Sequence, residues 1–152
     1  MEDAEERFSK RKIDRSCDVP KGGKPINERI LNPLEIPADV RIYRYAAHTG
    51  RMIVDEDTCP PELVRKARNT IRELNLNAPR LMRMRREAVM MLEDEIENAL
   101  AAGEDMETFL NVLAESFLLP DDNGNCQAFF SLIRWFLGPA AEKVLANNGY
   151  RI

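Results

Sequence analysis

Residues 79–102, PRLMRMRREAVMMLEDEIENALAA, place apolar side chains at Leu81, Met84, Ala88, Leu92, Ile96, Ala99 and Leu100. That three-and-four spacing is one face of a helix, widened by Met82, Val89 and Met91, and such a face has to be covered by the rest of the chain. The boundaries agree with the period. Asn77 is placed to cap the start, Pro79 suits a first helical turn, and Gly103 stands where a left-handed residue closes a helix. Its charges run against the helix dipole: Arg80, Arg83, Arg85 and Arg86 come first, and Glu93, Asp94, Glu95 and Glu97 follow. A lone helix favours the opposite order by about 0.3 to 1 kcal/mol per terminal charge, so the polarity is expected to serve a neighbour.

The same segregation extends over the flanking chain. Residues 41–86 hold eleven basic and five acidic side chains, whereas residues 87–133 hold eleven acidic and none basic. A surface that only needed solvation would interleave the signs. The chain has 152 residues and 44% hydrophobic content, enough for one domain with a core.

Residues 1–39 are expected to form an extended arm. Phe8 and Ile13 are the apolar content of its charged start, and Pro20, Gly22, Gly23, Pro25, Pro33 and Pro37 break any long element, leaving room for a helical turn near Ile26–Leu31. Residues 40–57 predict a β-hairpin, with VRIYRY and RMIVDE flanking a loop that contains Gly50. A helical bundle domain is expected over 58–152. Its first helix, 60–75, has Leu63, Val64, Ala67, Ile71 and Leu74 inward and Arg65, Lys66, Arg68 and Arg72 outward. The short LNLNAP link predicts that it lies antiparallel to the long helix, bringing Arg72 towards Arg80 and Arg83. A third helix is expected over about 105–118 from an Asp105 cap, burying Met106, Phe109, Leu110, Leu113 and Phe117. A fourth is expected over 126–137, and a short last one stops at Gly149. The fold class is thus mainly α: four to five helices in a bundle, a short hairpin and an extended N-terminal arm.

Residue types that carry chemistry are sparse. His48 is the only histidine and sits in the hairpin loop; Cys17, Cys59 and Cys126 are odd in number and widely spaced, without a Cys-x-x-Cys pair. The serines lack a nucleophile motif, KGGK at 21–24 lacks phosphate-loop spacing, and Leu119 stands where a calcium loop needs a carboxylate. Glu93 and Glu97 lack the Glu-x-x-His partner of a bundle di-metal site. No catalytic residue, metal or cofactor is therefore expected. The cysteine pattern and the charged N-terminus, without a cleavable signal or an apolar run of spanning length, predict a soluble protein of a reducing intracellular compartment, most simply the cytoplasm. A virion or organelle interior is also compatible.

The expected role is that of a non-enzymatic architectural subunit, docking through its arm and charge-polarised helices into a larger assembly of like or different protein subunits. Arg65, Arg68, Arg72, Arg80, Arg83 and Arg86 form the basic contact surface. Glu93, Glu97 and Glu107 form the acidic one, and Phe130, Trp135 and Phe136 are apolar anchors of the type that interfaces favour. The alternative is a nucleic-acid adaptor using the basic face of residues 65–86. The sequence pI near 5.2 weighs against it.

Overall fold

Alternation in residues 43–54 builds the first element pair. The computed structural model describes residues 28–36 and 40–150, together with Ser16, Gly23 and Pro25. In it Tyr43–Ala46 (β1) and Arg51–Val54 (β2) pair antiparallel, Tyr43 opposite Val54 and Ala46 opposite Arg51. Gly50, at φ 69°, closes the loop by donating its N–H to the Ala46 carbonyl at 2.7 Å. That backbone angle favours glycine because a Cβ there meets the preceding carbonyl.

Most of the arm expected over residues 1–39 lies outside the described residues. Within 28–36 a 3-10 turn forms at Pro33–Glu35, capped by Asn32, whose side chain accepts the Leu34 N–H at 3.1 Å; the turn expected near Ile26–Leu31 begins outside the described residues. Five α-helices follow among the described residues: Pro61–Glu73 (α1), Pro79–Ala102 (α2), Met106–Leu118 (α3), Phe130–Leu137 (α4) and Pro139–Asn147 (α5). None is long and apolar enough to cross a membrane.

The chain divides into two compact units, one up to Met84 and one from Arg85. The first unit holds the hairpin and α1. In this first unit Leu31, Ile42, Val54, Cys59 and Ala67 form the core, with Val40, Tyr43, Leu63, Val64 and Ile71 packed against it. α1 packs on β2. A two-stranded sheet is marginal alone and gains its stability from that cover. Thr70 ties in residues 28–36: its buried hydroxyl donates to the Lys66 carbonyl at 2.8 Å and accepts the Leu31 N–H at 2.9 Å.

Burial pushes the Tyr43 hydroxyl from 10.0 up to about 12, against an opposing hydrogen bond with Thr70. A group raised on folding contributes stability that is fully present below its unfolded pKa and is lost as pH rises through its folded one. The first unit is accordingly expected to weaken between about pH 10 and about 12. Tyr43→Phe should remove that share of the alkaline dependence, followed by circular dichroism alongside tyrosinate absorbance.

In the second unit Leu92, Leu113, Ala114, Leu118, Ile133, Leu137, Ala141, Val144 and Leu145 make one core. It is assembled by α3 against α4 and α5, and by α4 against α5. α2 ends as its sequence requires: Gly103 at φ 74° donates to Leu100 and Glu104 donates to Ala99, both at 3.1 Å, closing a Schellman motif. Asp105 then caps α3, its carboxylate accepting the Thr108 N–H at 2.9 Å and the Thr108 hydroxyl at 2.6 Å. α4 starts at Phe130, four residues later than expected. Phe129 takes a left-handed conformation at φ 62°, and Cys126 to Ala128 remain exposed outside the helix. The turn before it is organised by Asp121, whose side chain accepts the N–H groups of Asn123 and Asn125, each at 2.9 Å. Across the Gly138 bend, Arg134 and Glu142 form a two-bond ion pair, both contacts at 2.9 Å.

Candidate interaction surfaces

Helical spacing sets the basic face of the first unit. With Ala67 and Thr70 buried, Arg65, Arg68 and Arg72 fall on the opposite side of α1, and all three are exposed. Two of them are held by neighbours. Arg68 pairs with Glu56, while Arg72 bonds Asn69 at 2.9 Å and Glu73 at 3.0 Å, and Glu73 also receives Arg29 at 3.2 Å. Arg68 shares a groove of about 390 Å3 with Arg44, Arg51, Ile53, Glu56 and Asn77. Arg44 and Arg51 were missing from the sequence-derived surface. The strand period could have found them, since Tyr43 and Tyr45 turn inward and leave Arg44 on the other face.

At the edge of this groove Asn77, expected as a helix cap, bonds the hairpin. Its side chain accepts the Met52 N–H and donates to the Met52 carbonyl, each at 2.8 Å. It thereby imitates a neighbouring strand at one residue of β2, occupying an edge that would otherwise be open to pairing.

On α2, Arg80, Arg83 and Arg86 are exposed, as are Glu93 and Glu97. Arg85, grouped by sequence with the basic half, is only 5% exposed and is therefore an interior residue with satisfied contacts. The buried positions of the helix are Arg85, Val89, Leu92 and Ala99, with Ile96 half-buried. This four-three-four-three spacing leaves the opposite side in solvent. There Met90 is 47% exposed and Met91 45%. The side chains of Arg83, Arg86, Glu93 and Glu97 form no ion pair among the described residues.

Glu107 differs from the other two glutamates of the expected acidic surface. It lies on α3 and pairs with Lys143 of α5 at 3.0 Å, at the mouth of an apolar groove of about 360 Å3 lined by Leu110, Leu137, Pro139 and Ala140. Phe130, Trp135 and Phe136 are half-buried, and Phe130 and Phe136 pack on the core of the second unit. Their area is thus partly spent within the chain.

The two described cysteines have opposite surroundings: Cys59 is buried and Cys126 exposed. Burial pushes the Cys59 thiol up, with Glu62, Asp55 and Glu56 acting in the same direction, which disfavours the reactive thiolate. His48 is exposed in the hairpin loop. Among the described residues no group of three or more His, Cys, Asp or Glu side chains is arranged to hold a metal ion. Compared by sequence, the chain matches no family model and no curated protein.

Proposed function

We propose that this protein is an architectural subunit that docks into a larger protein assembly through its charge-polarised surfaces, above all the solvent side of α2. The observation that carries the reading is the exposure, on one helix, of Arg83 and Arg86 at one end and Glu93 and Glu97 at the other. Holding like charges together disfavours the isolated chain, and a surface of opposite sign offsets it. The arm fits the same role, since a segment with few apolar residues gains order from a long, thin contact.

The test is the native mass of the tagged chain in an extract of its own cells. The wild type is expected well above 17.4 kDa, and Arg83→Glu/Arg86→Glu should release it from the assembly with its helical content intact. A wild type running at its chain mass, or a double variant retaining the full complex, would overturn the reading. A second reading, a nucleic-acid adaptor, draws on the groove that brings Arg44, Arg51 and Arg68 together. It predicts that nuclease, and not only salt, dissolves the complex, with a salt slope set by the phosphates contacted.

A further inference from the structure

The solvent side of α2 has a symmetry that a mere scatter of charges would not have. With about 100° per residue, Met90 lies about 100–160° around the helix from the buried positions Val89 and Leu92 and the half-buried Ile96, on the solvent side. Measured from Met90, Arg83 and Glu97 are seven residues away in opposite directions along the helix, and each is about 20° off the line. Arg86 lies four residues before Met90 at about 40° and Glu93 three residues after it at about 60°, on the same flank. Along this stripe, the line through Met90 and the Arg86–Glu93 flank, the order is positive, apolar, negative, and turning the helix end over end about Met90 brings these four charges onto their opposites.

We infer that this stripe is a two-fold interface in which α2 packs antiparallel against α2 of a second copy of the chain, centred on Met90. The inference rests on the docking role proposed above and names its partner. Arg86 of each copy meets Glu93 of the other, and Arg83 meets Glu97, so every contact occurs twice. The other flank sets Glu87 against Asp94, a like-charge pair that Arg83, one turn before Glu87, offsets. Charge complementarity selects the antiparallel order, because parallel helices in register would oppose Arg to Arg and Glu to Glu. The exposed methionine supplies an adaptable apolar centre. The ionic contacts are exposed, so the pair must weaken with salt, as the screening length falls from about 10 Å at 0.1 M to about 3 Å at 1 M.

Two experiments on the full chain test this geometry. The first uses complementary variants. Arg83→Glu/Arg86→Glu makes these four positions all acidic, and Glu93→Arg/Glu97→Arg makes them all basic. Each alone should self-associate about tenfold or more weakly, and a mixture should form a one-to-one heterodimer. The second places a thiol on the two-fold axis, with Met90→Cys in a Cys17→Ser/Cys126→Ser background. Mild oxidation should give a single covalent dimer, whereas Leu100→Cys, on the same helix but far from the axis, should give none. Failure of the mixture to pair, or equal cross-linking at both positions, overturns the antiparallel pair. If the extract complex still depends on Arg83 and Arg86 in that case, docking stands with a different partner; if the extract chain is also monomeric, both fail.

Discussion

Leu118→Ala is expected to destabilise the second unit by about 2–5 kcal/mol, the range for emptying a fully buried leucine site. Leu118 is 0% exposed at the end of α3 and belongs to the core that α3 builds with α4 and α5. The effect has two parts, the lost transfer energy of the removed carbons and the cavity left where α3 cannot collapse onto its neighbours. Leu100→Ala is the internal control. That residue is 56% exposed, and its truncation should change stability by no more than about 0.5 kcal/mol. Denaturant unfolding followed by Trp135 fluorescence measures both, and similar midpoints for the two variants would show that the described core is wrong.

The second large effect is Asn77→Ala. Removing the carboxamide strips a donor and an acceptor from Met52 at once, a loss of about 2 kcal/mol if the half-buried strand edge is only partly rehydrated. Asn77→Asp should not rescue it. The carboxylate still accepts the Met52 N–H but faces the Met52 carbonyl with no donor to offer. Amide hydrogen exchange reads the change directly: protection at Met52 should drop in both variants while protection in α3 stays unchanged. Undiminished protection at Met52 would mean that Asn77 does not hold the strand edge.

These two sites also show where sequence reasoning succeeds and stops. The helices α2 and α3 were legible because their signals are local: the apolar period of residues 79–102 returned Pro79–Ala102, Asp105 capped α3 as expected, and Gly103 closed α2. Asn77 was expected to cap the start of α2, yet its side chain bonds Met52, twenty-five residues back, and no local pattern encodes that choice. The packing of α1 on β2, which buries Ala67 and half-buries Ile71, likewise joins positions distant in sequence. α4 began late because CQAF reads as helical by composition, and composition does not reveal the left-handed backbone at Phe129.

For the candidate surfaces, exposure of Arg65, Arg68, Arg72, Arg80, Arg83 and Arg86 followed from their positions off the apolar stripes. What the stripes did not reveal was how each charge is spent. Arg68 and Arg72 are paired within their unit, Arg85 is interior, and Glu107 is held by Lys143. Removing these from the expected contact set leaves the solvent side of α2, where Arg83, Arg86, Glu93 and Glu97 are exposed and form no ion pair among the described residues.

The measurement that tests this account most directly is the solution mass of the purified full chain by light scattering, over a range of protein concentrations at low and high salt. Pairing through α2 predicts a mass above 17.4 kDa at low salt that rises with concentration to twice the chain mass and returns to 17.4 kDa at high salt. A mass of 17.4 kDa at every concentration and both salts would contradict it.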